Sequence, residues 1–445
     1  MAGRREVLRA GLCGAALLWA RRAAGGARAE AGGDWPASAG GLDAWRAAAS
    51  TVPHAAERWR KHLDGGVTGT AALVGGRVFA ASLGGELLCC DLDSGGERWR
   101  RKLPTQRFGS GVGSRELGFF GGPAVSQGRI VVASDRVFCL DSATGSVLWE
   151  TEPLRGRDGD DYFWGAPVVA GGLVLVGAGA ALETGTTRGR VCAYDLRDGS
   201  LRWGRFTVPE GGNGGGVLAP CSADLTRGVL YVATGAPYAP VAGPNPGTAS
   251  LLELRLRDGA LLWADQLHPH DSLRLNFNSA PLLLGHLAIA AGKTGLCCWD
   301  RLARRRLWSA PLTSFSAAPG TPAGPLDGPE NGPVASDGRS LFALSNDRRG
   351  NCFVAAALAP EDGRVLWRQR FDGAAFSAPA VADGTVWIAA ADGTLRCLRA
   401  ADGAVLSSAA LREPSACGPS IAHGALVVGT GAGPYLRGDS LVCFG

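Results

Sequence analysis

Gly122-Pro123-Ala124-Val125 opens the stretch whose reading decides the fold. The turn Gln127-Gly128 follows, then the apolar run Arg129 to Ala133, then Arg136 to Leu140, and finally Asp141-Ser142-Ala143-Thr144-Gly145-Ser146-Val147-Leu148-Trp149. Segments this short, rich in Val, Ile and Leu and separated by Gly or Asp turns, predict antiparallel strands rather than helices.

The same unit recurs in both directions along the chain. Its closing strand returns at Trp59, Trp99, Trp203, Trp263, Trp308 and Trp367, with Leu406-Ser407 in a weaker eighth copy. Its opening strand begins near Thr70, Gly122, Ala166, Pro220, Ala280, Gly332, Ala378 and Gly418. The last copy reaches Gly445 without a Trp strand of its own, whereas Glu57-Arg58-Trp59 precedes the first full unit. The expectation is therefore an all-β, eight-bladed β-propeller of four-stranded antiparallel blades. The N-terminal strand completes the last blade, so no edge stays open between blades. A repeat ring grows by adding copies, so the 445 residues do not require several independent cores. The predicted organisation is an export signal at 1–29, an N-terminal extension at 30–56 and a single propeller at 57–445.

The leader reads as Arg4-Arg5-Glu6-Val7-Leu8-Arg9, an apolar run from Ala10 to Ala20, then Arg21-Arg22, and Ala27-Arg28-Ala29 before Glu30. That layout fits twin-arginine export to the periplasm, with an Arg-rich organelle transit peptide as the alternative. The apolar run is too short to span a bilayer, and no other stretch is long enough, so the processed protein is expected to be soluble and monomeric. The formal charge of +5 resides in this leader, which holds six arginines and one glutamate. The remainder is near neutral, which argues against a nucleic-acid surface, since phosphate binding needs clustered positive charge.

Twelve cysteines in an exported chain ordinarily imply disulfides. Their positions in the repeat imply packing instead. Cys89, Cys139, Cys298, Cys397 and Cys443 stand where Ala193 and Ala357 stand in other copies. The neighbours Cys89-Cys90 and Cys297-Cys298 lie in strands and point to opposite faces. No Cys-x-x-Cys-His sequence occurs, so covalent haem c is not indicated.

Length variation concentrates in the links from second to third strand and from fourth strand to the next blade. The long ones are 104–120, 150–164, 206–217, 236–250, 264–278 and 311–331. An up-and-down blade sends all of these to one face, where a small-molecule or protein ligand is expected. The glycine run Gly211 to Gly216 reads as a flexible loop, because no helix start follows it. Gly292-Lys293-Thr294 superficially matches a phosphate-binding loop, but Leu287 replaces the leading glycine and a strand follows. His268, His270 and Asp271 have metal-ligand chemistry without a matching ligand set.

Ala193, Gly199 and Trp203, like Ala357, Gly363 and Trp367, have the spacing of the tryptophan-docking repeat. On that spacing the chain resembles the pyrroloquinoline quinone (PQQ) propeller family, the quinoprotein alcohol dehydrogenases, and within it the polyvinyl-alcohol-dehydrogenase-like branch. The likeness is carried further by Asp34-Trp35-Pro36, Thr187-Arg188-Gly189-Arg190-Val191, Tyr231-Val232-Ala233-Thr234-Gly235, His268-Pro269-His270-Asp271 and Gly292-Lys293-Thr294-Gly295. The resemblance implies PQQ with a divalent cation such as calcium, an Asp base and an aromatic ring stacked on the quinone.

The same resemblance assigns positions, and several depart from its pattern. Glu183 stands for the metal-binding carboxylate, one residue further from Arg188 than the family places it. Ala236 replaces a metal-binding Asn and offers no side-chain oxygen. Arg274 replaces the general base expected three residues beyond Asp271, and an arginine cannot accept a proton near neutral pH. Leu218 aligns with the stacking Trp, while Lys293 keeps the cation near the quinone carbonyls. Glu183, Arg188, Asp271, Arg274 and Lys293 are thus the candidate cofactor-binding residues. The expected function is a binding or assembly module with a degenerate dehydrogenase centre. The rival is a PQQ-dependent oxidoreductase acting on an alcohol or sugar through an altered site. Arg274, Lys293 and Arg188 would suit an anionic ligand. A scaffold like the propeller lipoproteins of outer-membrane assembly lacks its lipobox here, since Cys13 comes too early.

Overall fold

The computed structural model describes residues 33–50, 52, 56–108, 115–154, 161–181, 187–239, 244–268, 277, 279–293, 295–312, 330–347, 351–433 and 436–445. The leader expected at 1–29 lies outside them. Every regular element among the described residues is a strand, and no helix there is long and apolar enough to cross a membrane.

The chain forms an eight-bladed propeller of four-stranded antiparallel blades. Blade 1 holds Ala72–Val74, Arg77–Ala81, Glu86–Asp91 and Glu97–Lys102, counted from the axis outward. Blades 2 to 7 repeat that order. Blade 8 takes three strands from the C-terminus and its outer strand, Glu57–His62, from the N-terminus. Glu57–His62 pairs antiparallel with Ser440–Phe444, setting Trp59 opposite Cys443. The ring closes as the repeat predicts. Long links on one face add the hairpin Gln106–Phe108 with Arg115–Leu117. They also add Asp161–Tyr162 on blade 3 and Glu330–Asn331 on blade 6.

Blades are locked by tryptophan. The indole N–H of Trp59 donates to the Leu92 carbonyl of the next blade at 2.8 Å. Trp99, Trp149, Trp203, Trp308 and Trp367 repeat the bond to Ser142, Leu196, Leu256, Pro360 and Ala400. Each ring lies flat on a left-handed glycine. A Cβ on Gly95 would sit 2.7 Å from the Trp59 ring, so only glycine admits the contact. Small residues stand opposite the tryptophans, as in Cys89 with Trp99 and Cys139 with Trp149. The eleven described cysteines are all free and buried. Burial pushes the Cys89 and Cys139 thiols up to about 11 and Cys443 up to about 12, which leaves no thiolate for redox or metal chemistry near neutral pH.

Two interfaces depart from this pattern, for blade 7 carries Ser407 opposite Cys397 where the tryptophan would stand, and blade 4 meets blade 5 through charges. Between blades 4 and 5 the glycine position is Arg304, with φ +54°, and the small-residue position opposite Trp263 is Glu253. Glu253 is fully buried and pairs with Arg304 at 3.2 Å and Arg227 at 3.4 Å. Arg227 also donates to the Arg301 carbonyl, the acceptor Trp263 would use by the rule of the other blades. An ion-pair cluster therefore replaces the tryptophan lock here.

The N-terminal extension closes one end of the central channel. The innermost strand of each blade turns an edge toward the axis, with backbone N–H groups that need acceptors. Trp35 exchanges two backbone bonds with Leu73 of blade 1, at 2.7 and 2.8 Å. The segment then circles the axis. The N–H groups of Val125, Ala223, Leu283, Ser336 and Val381 donate to the carbonyls of Pro36, Leu42, Asp43, Trp45 and Arg46. Six of the eight inner strands are reached in this way among the described residues, and Asp34 meets His423 of blade 8 at 2.8 Å. Ala47–Ala48 finishes as a parallel strand on Ala380–Ala382. The contacts lie beside the short-turn ends of the inner strands, so residues 33–48 seal the face opposite the long links.

This seal should respond to pH. Burial raises the Asp43 carboxyl to about 6, against two backbone hydrogen bonds that lower it. An unfolded Asp titrates near ~3.9, so the folded chain holds more protons between about pH 4 and 6 and loses stability as pH rises through that window. Hydrogen-exchange protection of residues 33–48, corrected for the intrinsic pH dependence of amide exchange, is therefore expected to be lower at pH 7 than at pH 5, and Asp43→Asn should flatten the difference.

Candidate functional site

On the opposite face the described residues form a cavity of about 220 Å³, walled by Leu83, Leu117, Phe120 and Trp164, with Glu116 at its edge and Gly65 and Gly433 completing it. These residues come from links of blades 1, 2 and 8. Two long links predicted to be variable, 104–120 and 150–164, supply most of the wall.

Aromatic packing holds the wall. Trp164 meets Phe120 edge-on at 5.2 Å and Tyr162 at 5.0 Å, while Tyr162 meets Phe108 at 5.8 Å. Tyr162 donates to the Gly118 carbonyl at 2.8 Å and accepts from the Phe120 N–H at 3.1 Å, tying the two links together. Burial pushes its phenol well above the usual range, so it stays a neutral donor. The Trp164 indole donates to the Ala180 carbonyl, which fixes the ring plane. Glu116 is exposed and accepts from the Thr105 hydroxyl. Behind the wall Asp161 is buried and paired with Arg190.

The sequence-derived candidates fall differently. Glu183, Asp271, Arg274 and His270 lie outside the described residues. Lys293 is buried in the link between Leu287–Gly292 and Gly295–Asp300. Arg188 stacks its guanidinium 3.8 Å above the ring of Phe206 on the outer strand of blade 3, a cation–π contact. Arg188 is thereby drawn toward the rim, while Lys293 is held in blade 5.

The glycine run is packed, contrary to the flexible loop read from sequence. Asn213 to Gly216 are buried, and Gly189 approaches so closely that a Cβ would sit 2.0 Å from the Gly215 carbonyl oxygen. Asn213 pins the neighbouring link, accepting from the Tyr238 and Ala239 N–H groups at 2.8 and 3.0 Å. These glycines serve close approach between blades 3 and 4.

The quinone and cation implied by the resemblance can be tested against described residues. Ala236 is buried and accepts the Gly215 N–H with its backbone oxygen, leaving no side-chain ligand. Leu218 gives no aromatic face. The cavity carries a carboxylate, and among the described residues no lysine or arginine lines it. A planar quinone bearing several carboxylates needs the opposite charge. The described residues do not fit that group.

Family and structural comparisons follow the repeat. A PQQ-repeat family model, described as outer membrane protein assembly factor BamB, matches residues 37–114, 105–350 and 323–438. The chain belongs to this family. Its members share the repeat with quinoprotein dehydrogenases. The quinohemoprotein alcohol dehydrogenase of Comamonas testosteroni is 26% identical over 269 residues, covering 52% of this chain and 37% of that protein. A polyvinylalcohol dehydrogenase of Sphingopyxis sp. (strain 113P3) is 23% identical over 243 residues, covering 50% and 36%. The chain thus spans about a third of the length of these relatives. The crystal structure of the Comamonas enzyme superposes with a TM-score of 0.77 at 19% identity, over 93% of this chain and 80% of that one, which establishes a shared fold.

Sequence reasoning missed both the aromatic cavity and the seal. The signal was present as Phe119-Phe120 and Tyr162-Phe163-Trp164, aromatic clusters inside long links that variable insertions would not need to carry.

Proposed function

We propose that this chain is an exported PQQ-repeat propeller whose dehydrogenase centre is degenerate, and that it works as a binding module. Its ligand is a small amphipathic molecule, with an apolar or aromatic body and a hydrogen-bond donor or positive charge, held in the mouth of the central channel. The carrying observation is the cavity on the face opposite the seal. Residues 33–48 cover one face of the ring, and the cavity of Leu83, Leu117, Phe120 and Trp164, with Glu116 as its polar group, lies on the other. Such a rigid, mostly apolar concavity with one convergent polar group has the usual make-up of a small-molecule site. The substitutions Ala236, Leu218 and Arg274 remove oxygen ligand, stacking face and base from the oxidoreductase centre that the resemblance implies.

Two measurements test this reading. Small amines and aromatic amphiphiles should raise the unfolding midpoint of the wild type, and Trp164→Ala should weaken the best of them roughly tenfold or more, because the indole supplies a main apolar wall. A library without hits, or hits indifferent to Trp164→Ala, would count against the cavity. In the second measurement, purified protein given PQQ and calcium is assayed for dye reduction across a panel of alcohols. No turnover above background is expected. Sustained turnover abolished by Glu183→Ala would establish the oxidoreductase reading instead.

A further inference from the structure

Arg46 is the one residue of the seal whose side chain carries a full positive charge into the interior. Its backbone pairs with Val381 of blade 7, and its side chain then rises toward the open face. The guanidinium Nη2 bonds the Thr70 hydroxyl of blade 1 at 3.1 Å, and a Cβ on Gly418 of blade 8 would lie 2.4 Å from the same atom. Three neighbouring inner strands thus surround a guanidinium that is 5% exposed.

No carboxylate pairs with it among the described residues, whereas the less buried Arg190 and Arg301 pair with Asp161 and Asp224. Its Nε is buried without a hydrogen-bond partner. The only charged influence on it beyond burial is the Cys417 thiol next to Gly418. That thiol is itself pushed up to about 11 and donates to the Gly69 carbonyl, so it is no counter-charge near neutral pH. The backbone of Arg46 is also held at φ +53°, a region that non-glycine residues avoid. An uncompensated buried ion adds a larger penalty. A fold that tolerates both penalties at one residue is expected to recover them from a partner that the described residues do not supply.

We propose that Arg46 is the base of an anion-binding site inside the central channel, above the seal and below the mouth cavity, for a small inorganic anion such as chloride or phosphate. Nε and the second guanidinium nitrogen supply donors in the planar fork that suits oxyanions, and the Thr70 hydroxyl orients the fork. A side chain at position 418 would collide with the guanidinium, so Gly418 makes room for Arg46 to reach this position. The bound anion neutralises the guanidinium and so holds the seal in place. Thr68, two residues before Thr70, donates its hydroxyl to the carbonyl of the cavity-wall residue Phe120 at 2.8 Å, so the Arg46 site lies beneath that wall, while none of the residues lining the cavity is Arg46 or Thr70.

The experiment uses the full chain without partners. Unfolding midpoints are recorded against sodium chloride and, separately, sodium phosphate, at ionic strength held constant with a bulky organic anion. A saturable rise of a few degrees in either series is expected for wild type, and its absence in Arg46→Gln. The series that saturates at lower concentration identifies the anion. Crystals of wild type soaked in sodium bromide supply a readout that does not require the variant to fold. An anomalous peak within hydrogen-bond reach of the Arg46 guanidinium is expected. Equal responses in wild type and Arg46→Gln, or bromide-soaked crystals without a peak in the channel, would overturn the proposal.

Discussion

Glu253→Ala should destabilise this protein by about 1–3 kcal/mol, and Arg304→Gly in the same chain should restore part of the loss. The single change removes the fully buried carboxylate that organises the cluster and leaves Arg304 and Arg227, whose side chains are 41% and 28% exposed, without their shared acceptor. The second change removes the stranded arginine and relieves its positive φ. It also recreates the surface on which the other tryptophans lie, so Trp263 can reach the Arg301 carbonyl. Denaturant midpoints of wild type, both single variants and the pair form a double-mutant cycle. A strongly positive coupling is expected. Additive effects would mean that Glu253 and Arg304 do not act as a unit.

Removing residues 1–64 should abolish soluble folding, and a peptide spanning 33–63 added in trans should rescue it. The truncation takes away Glu57–His62, leaving Ser440–Phe444 as an open strand edge, and with it the Trp59 lock onto blade 1. It also uncovers the inner-strand N–H groups that the seal satisfies. Exposed edges and unpaired buried donors together favour aggregation over a partly open ring. Light scattering and circular dichroism of the refolded truncation, with and without peptide, measure both effects. A truncated chain that stays monomeric and retains the wild-type unfolding midpoint would show that the C-terminal blade closes without the N-terminal strand.

Much of the architecture was legible because its determinants are local and repeated. Trp59, Trp99 and Trp149 recur at blade spacing, each ten residues beyond a small residue and four beyond a glycine in most copies, and that periodicity survives without any long-range contact being known. Ring closure was legible for the same reason, since an unmatched Trp strand at one end complements a unit lacking one at the other. The packing role of the cysteines followed from their place in the repeat.

The site was less legible. Trp164, Phe120 and Glu116 lie in two different links, and nothing in their spacing says that they share a cavity. Residues 33–48 carry no regular period, because a segment that touches a different blade every few residues has no reason to repeat. Likewise Gly211 to Gly216 has the composition of a loose loop and is packed only because Gly189 approaches from blade 3.

The sequence by itself determined the fold class, the number of blades and which strand closes the ring, since these follow from turn chemistry and side-chain alternation within each unit. Only the tertiary structure decided that the channel is sealed on one face, that Glu253 and Arg304 exchange a tryptophan lock for an ion pair, and that Arg46 meets no acid among the described residues. Each of these depends on which distant backbone groups and charges meet around the axis, and residues 24 to more than 300 positions apart meet there through the closing of the ring rather than through any local preference.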